Sequence, residues 1–259
     1  MKSLVTISVD GRQVRAEEES SLLTALRREG LDIPSLCHHE ALAPYGACRL
    51  CLVEVNQKGW KPDWRKLTTS CNFPVLPGLK VFTGTDNVVE NVKVVLEMLL
   101  ARAPAAEAVR DLAARHGITI DTVEAHFDRI DRDERGIDCA ICTRVCDRLG
   151  HGAISMLGRG VGRRVGTPAD GPPPDCVGCG TCARMCPTGA IPVEEKAGTR
   201  RIWGRDFELA ACVECGRSIL TIDQARYHAR RTGLDESYFR LCDECSRRLV
   251  ARTMQENVS

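Results

Sequence analysis

The run Cys176-x2-Cys179-x2-Cys182-x3-Cys186-Pro187 constrains this chain more than any other stretch. Three close cysteines bind three irons of one [4Fe–4S] cubane, and the fourth points to a second cluster while the proline turns the chain away. Thr188-Gly189-Ala190-Ile191 continues the pattern. The 15 cysteines contrast with only 3 Trp, 3 Tyr and 5 Phe in 259 residues, so metal rather than aromatic bulk is the first candidate for holding the chain together. An odd number suits a disulfide framework poorly, and clustered cysteines in a reducing compartment bind metal. The opening MKSLVTISVDG alternates like a strand and lacks the apolar core of a signal peptide. No run of about 20 apolar residues offers a membrane span. A cytoplasmic protein without membrane insertion is expected.

The partner of the cubane run is contracted. DCAICTRVCDRLGHGAI carries Cys139-x2-Cys142-x3-Cys146, which makes seven cysteines where two complete cubanes need eight. Crossed ligation assigns Cys146, Cys176, Cys179 and Cys182 to a complete cluster and leaves Cys139, Cys142 and Cys186 one ligand short. That second site is open to a [3Fe–4S] cluster, to a non-cysteine ligand such as Asp138, Asp147 or His151, or to free thiols. Cys37-x10-Cys48-x2-Cys51-x19-Cys71 suits a [2Fe–2S] cluster, three thiolates lying in one loop and one returning from a distant strand. Gly46 and Ala47 allow the backbone to crowd that loop. A Rieske site is unlike this pattern, because the pair Cys48-x2-Cys51 that would complete Cys37-x-His39 contains no histidine, and the long spacers are unusual for structural zinc. The final pairs, Cys212-x2-Cys215-Gly216 and Cys242-x2-Cys245, are the arms of a four-cysteine zinc ribbon or the ligands of a further [4Fe–4S] cluster.

Local patterns divide the chain into modules. Residues 4–16 read as a hairpin turning at Asp10-Gly11, followed by a helix Leu22–Arg28 behind Ser20-Ser21 and short strands Leu52–Val55 and Leu79–Thr83. Residues 87–102 read as a helix with Val88, Val92, Val95, Leu96 and Leu99 on one face, and 105–116 and 121–130 as two more helices. Gly158–Pro174 reads as an extended loop, and its GRGVGRRVG lacks the ending of a phosphate loop. A last helix is expected near Ile222–Thr232. The expected α+β organisation is a [2Fe–2S] ferredoxin-like domain at 1–84, a helical connector at 85–136, a dicluster ferredoxin-like domain at 137–205 and a four-cysteine module at 206–259.

The stretch IPSLCHHEALAPYGACRLCLVEV, with TTSCNFPVLPGLKVFT after it, resembles the N-terminal ferredoxin domain of a group of electron-transfer subunits. The group includes the large iron–sulfur subunit of respiratory complex I, the diaphorase iron–sulfur subunit of NAD-linked [NiFe] hydrogenases, and the matching parts of NAD-dependent formate dehydrogenases and [FeFe] hydrogenases. The resemblance spans residues 4–100, including the helix VVLEMLLARAP. It implies a β-grasp domain at the N-terminus. It also implies a place between a flavoprotein that binds NAD(P)H and a catalytic, metal-containing subunit. A cluster held by one histidine and three cysteines follows this helix in many such chains and has no counterpart in APAAEAVRDLAARHGI. Against them, RVCDRLGHGAI reads as a longer pattern with three residues removed, and its context favours an occupied contracted site.

Clusters pass single electrons, whereas a two-electron donor such as NADH needs a flavin to split them. No full GxGxxG fingerprint or paired-carboxylate site is present, so the chain is expected to be non-catalytic alone, with flavin and NAD on a partner. His38 and His39 are candidates to tune the first cluster by hydrogen bonding. The alternative is a redox-sensing regulator with a zinc tail; it requires a DNA-binding element, none is visible, and Arg247, Arg248 and Arg252 are equally served as solvated charge on a helix. The near balance of 36 Lys+Arg against 35 Asp+Glu argues against a nucleic-acid partner.

Overall fold

Alternation in the first residues folds as expected. Leu4–Val9 (β1) and Arg12–Glu17 (β2) pair antiparallel, with Ile7 and Val9 buried. Asp10 and Gly11 both take positive φ (47° and 85°), as a two-residue type I′ turn requires. In this computed structural model residues 3–127 and 132–256 are described. The chain divides into two units: Met1–Ile141 with Val161–Arg164 and Cys186–Ala190, and Cys142–Gly160 with Val165–Met185 and Ile191–Ser259.

In the first unit, helix Leu22–Arg28 (α1) buries Leu22, Leu23 and Leu26. Leu52–Asn56 (β3), Lys66–Thr69 (β4) and Lys80–Phe82 (β5) complete a sheet of order β2-β1-β5-β3-β4, in which only β1 and β5 run parallel. Its core joins Ile7, Val9, Val53, Val55, Leu79 and Val81 to the leucines of α1. Asp86–Arg102 (α2) buries Val88, Val92, Leu96 and Leu100. Val95 and Leu99, expected on the same face, are only half-buried, because the buried row follows strict i, i+4 spacing. Glu107–Arg115 (α3) and Ile120–Glu124 (α4) follow, the latter started by a reciprocal Thr119–Thr122 capping box. The helix expected over 121–130 stops at Glu124, and its positions 128–130 lie outside the described residues.

A buried carboxylate ties β3 to α2. Glu54 accepts from Thr85 Oγ1 and Asn87 Nδ2, both at 2.8 Å, and pairs with Arg65 at 3.5 Å. Thr85 also caps α2 by accepting from the Val88 N–H, so the carboxylate lies at the positive end of the helix. Burial pushes the Glu54 carboxyl up, but the bonds from Asn87, Thr85 and Arg65 outweigh it and hold the group below its ordinary value. Its stabilisation is therefore present above the ordinary carboxylate range and lost as pH falls through the lowered value. Glu54→Ala should cost roughly 2–3 kcal/mol at neutral pH, read as a lower denaturation midpoint, with the gap to the parent closing in acid.

In the second unit, Ile141–Leu149 (α5) leads into a two-stranded sheet of Ser155–Leu157 (β6) and Arg164–Gly166 (β7), both within the stretch expected as loop or next to it. Thr181–Arg184 (α6) is a single turn. Glu194–Lys196 (β8), Thr199–Ile202 (β9), Arg205–Ala211 (β10) and Ser218–Thr221 (β11) form an antiparallel sheet in chain order. Ile222–Thr232 (α7) has the expected bounds, capped by Thr221 and closed by Gly233 at φ 74°. Asp243–Glu256 (α8) ends the described chain. Among the described residues, no helix is long and apolar enough to cross a membrane.

Candidate metal centres

The loop after α1 and the turn after β4 bring Cys37, Cys48, Cys51 and Cys71 together inside the first unit, each 1–2% exposed. The thiols fall into two hydrogen-bonded pairs, Cys37 with Cys48 and Cys51 with Cys71. Hydrogen bonding to its partner, then burial, pushes Cys48 and Cys71 up, whereas the bond from Cys71 holds Cys51 down to about 6. Two irons with two thiolates each require such a pairing, so the residues present fit a [2Fe–2S] group. The Leu36 N–H points at Cys48 Sγ (3.4 Å). Ser70 Oγ donates to the Cys51 carbonyl (2.9 Å), and Ser21 Oγ to that of Cys71 (3.1 Å). Gly46 takes φ 71°, and a Cβ there would lie 2.6 Å from Asn72 Nδ2, so the crowding foreseen at this glycine comes from a side chain. His39 Nδ1 accepts from the Ala41 N–H (3.1 Å), which spends it on a local turn.

In the second unit, Cys146 from α5 joins Cys176, Cys179 and Cys182 around a small chamber, whose other walls include Val145, Ile154, Ile202 and Trp203. Four thiols facing an apolar chamber suit a compact, water-shy cluster. Burial pushes Cys146 and Cys176 up, and Cys182 to about 11. Burial acts on Cys179 too, but hydrogen bonds from His151 and Thr181 prevail and lower it to about 7. N–H groups of Ala153 and Gly178 point at Cys146 and Cys176 Sγ at 3.3 and 3.4 Å.

The loop carrying these cysteines rests on the β8–β11 sheet. Arg200 donates to the Gly178 carbonyl (2.8 Å), and Arg205 to those of Pro173, Pro174 and Cys176 (2.8, 3.0 and 3.1 Å). Thr221 Oγ1 donates to the Val177 carbonyl, and Arg184 to that of Cys179. These supports come from residues without a metal-ligand signature, and sequence reading passed over them. Cys139 and Cys186 lie in the first unit and Cys142 at the start of the second. Cys139 and Cys142 are buried, and Cys186 Sγ accepts from the Ala190 N–H at 3.4 Å. Of the three spare ligands considered, Asp138 is held by Arg102 at 2.8 Å, and His151 is engaged at Cys179.

The last four cysteines converge fully. The Sγ atoms of Cys212, Cys215, Cys242 and Cys245 all lie within 4.8 Å of one another, with Cys215 and Cys242 3.8 Å apart. A tetrahedral zinc at Zn–S distances of about 2.3 Å holds its sulfurs about 3.8 Å apart. A cubane spreads its four thiolates over four separate irons and holds them farther apart. The Cys242 N–H donates to Cys212 Sγ and the Cys245 N–H to Cys242 Sγ, both at 3.4 Å, and Arg248 reaches Cys245 Sγ at 3.0 Å. The Cys242 N–H, ahead of other backbone donors, lowers Cys212 to about 6, although burial opposes it. Burial, then the bond to Cys242, pushes Cys245 the other way, up to about 12.

Residues 2–86 match the family model of a 2Fe-2S iron-sulfur cluster binding domain, and residues 135–190 that of a 4Fe-4S dicluster domain. Fold and sites together define an iron–sulfur protein of mixed α and β structure. The chain is similar to NADPH-Fe(3+) oxidoreductase subunit alpha of Geobacter sulfurreducens, 27% identical over 247 residues that make up 88% of this chain and 28% of that protein. It is also similar to the mitochondrial NADH dehydrogenase [ubiquinone] iron-sulfur protein 1 of Solanum tuberosum, 29% identical over 222 residues, or 78% of this chain and 29% of that one. Among solved structures, a chain of NAD+-reducing [NiFe]-hydrogenase in the H2-reduced state matches with a TM-score of 0.59 and 28% identity, covering 72% of this chain and 86% of that chain. The resemblance read from residues 4–100 to complex I and hydrogenase subunits is borne out. The chain spans under a third of the length of these two curated relatives.

Proposed function

We propose that this chain is an electron relay within a larger NAD(P)-linked oxidoreductase, passing single electrons between a flavoprotein that takes hydride from NAD(P)H and a catalytic, metal-containing subunit. The observation that carries this reading is one chain that brings four buried thiols together as two pairs and gathers four more around an apolar chamber. Cys37 and Cys48 would hold one iron of the [2Fe–2S] group and Cys51 and Cys71 the other. Cys146, Cys176, Cys179 and Cys182 would hold a complete [4Fe–4S] cluster, and Cys139, Cys142 and Cys186 a second one short of a thiolate. When bound, such clusters supply one-electron storage and transfer. The protein's part is to exclude water, fix the thiolates and aim N–H groups at sulfur. The mixed sheet with its parallel β1–β5 pair supports a β-grasp reading of the first domain. The close Cys212, Cys215, Cys242 and Cys245 tetrahedron supports zinc, which is redox-inert and would end the wire before the tail. The cytoplasm suits all these thiolates.

Metal analysis and reduction test the reading together. Anaerobically purified protein should contain about ten irons and one zinc, with about six irons if the contracted site is empty. Dithionite should reduce it, whereas NAD(P)H should do so only when a flavoprotein partner is added. Absence of iron, or rapid reduction by NAD(P)H of the isolated chain, would overturn the proposal.

A further inference from the structure

Two ring side chains from outside the cysteine motif line the cubane chamber. Trp203 Nε1–H donates to Cys182 Sγ at 3.5 Å. His151 lines the same chamber as Cys179, whose thiol it helps to lower. Trp203 occupies the two-residue turn between Ile202 of β9 and Arg205 of β10, with φ 52° before Gly204 at 72°. Asn-Gly is the favoured pair for such a turn, and a tryptophan with positive φ is strained there. Asparagine or glycine would relieve the backbone, but neither would carry an indole to the chamber. His151 is seated just as deliberately. Its ring packs against Tyr227 of α7 at 4.4 Å between centroids. The Tyr227 hydroxyl is shared between the Leu149 and Gly150 carbonyls (3.2 and 3.1 Å), and Arg231 donates to Leu149 and to Tyr227 at 3.0 Å each. Helix α7 thus clamps the loop that presents His151.

We propose that Trp203 and His151 tune the cluster held by Cys146, Cys176, Cys179 and Cys182, setting its reduction potential above that of the same site without them. The inference rests on reading the chamber as a cubane site. An N–H donated to a thiolate withdraws charge from it and favours the more negative, reduced cluster. The indole has no acceptor lone pair, so Trp203 can act only as a donor.

Trp203→Phe keeps an aromatic ring and the same strained backbone but removes the donor. The full-length protein, purified anaerobically, should retain the parent's iron content in this variant. Its cubane midpoint, followed by EPR during a redox titration, should shift to lower potential. His151→Phe should shift it the same way, and the double variant further. Parent protein carrying 15N-indole tryptophan should show a nitrogen coupling on the cubane signal that Trp203→Phe abolishes. An unchanged midpoint with full iron would overturn the proposal. If the variant loses iron, the labelled parent decides, and no indole coupling there would overturn it. A parent with no cubane signal at all would instead sink the reading of the chamber, and this inference with it.

Discussion

Gly178→Ala is expected to strip about four irons from the protein while leaving the [2Fe–2S] absorption in place. Gly178 lies between Cys176 and Cys179 at φ 66°, and a Cβ there would stand 2.5, 2.6 and 2.9 Å from three carbons of the Phe207 ring. That ring cannot withdraw easily. It is 1% exposed, and the Arg205 guanidinium lies 4.7 Å from its centroid. The loop cannot move either without losing what positions the thiols. The Gly178 N–H faces Cys176 Sγ and its carbonyl accepts from Arg200. Left-handed backbone at a residue with a side chain costs about 1–2 kcal/mol and overpacking about 1–3, together roughly 2–5 kcal/mol. Gly198→Ala separates the two terms. Gly198 has φ 78° in the β8–β9 turn, but nothing lies within 4 Å of its added Cβ. It should cost only the backbone term and keep its iron. Equal iron in the two variants would show that the Phe207 contact does not position the loop.

Sequence reading found what is local and missed what is brought from a distance. The Asp10-Gly11 hairpin, α1, α2 and α7 carry their turn residues, caps and periodicity within a dozen positions, so their bounds could be read almost to the residue. The thiols were legible for the same reason, since a CxxC spacing is itself local chemistry. The β8–β9 hairpin was not legible. Glu194, Glu195 and Lys196 are all exposed and show no apolar alternation, so pairing to Arg201, Arg200 and Thr199 alone makes them a strand. That hairpin supplies Arg200 to the Gly178 carbonyl, and the β9–β10 turn supplies Trp203 to Cys182, each across about twenty residues of sequence. A charged run and a lone tryptophan give no signal of such a role until the sheet folds. His151 was legible as a candidate ligand beside Cys139 and Cys142, but its ring, packed on α7, lines the chamber of Cys146, Cys176, Cys179 and Cys182.

With zinc at the last four cysteines, as proposed, Cys242→Ser should release one zinc and unfold the end of the chain without lowering the iron content. Among the described residues, the apolar cluster around this site contains, beyond the sulfurs of Cys212, Cys242 and Cys245, only Ile219 and Leu241, both partly buried. Helix α8 adds little of its own, since Leu249, Val250 and Met254 are each about half exposed or more. A helix of about 14 residues is marginal in water without packing. The cysteine pairs also close a loop of 26 residues that the tiny core cannot hold shut. The proposed zinc would supply that folding energy, and structural zinc contributes about 10–16 kcal/mol in comparable small sites. Cys242 is the sensitive position because it serves twice. Its Sγ lies beside Cys215 and accepts the Cys245 N–H, while its own N–H points at Cys212 Sγ. The expected record is loss of one zinc, a drop in helical circular dichroism equal to about one α8, and new proteolytic cuts after Leu241. The strands β8–β10 that support the cubane loop should survive, because Arg200 and Arg205 reach that loop from positions ahead of the first cysteine pair. A fall of about four irons in place of the zinc would make the tail a further cluster, and the wire would then run on to the C-terminal end of the chain.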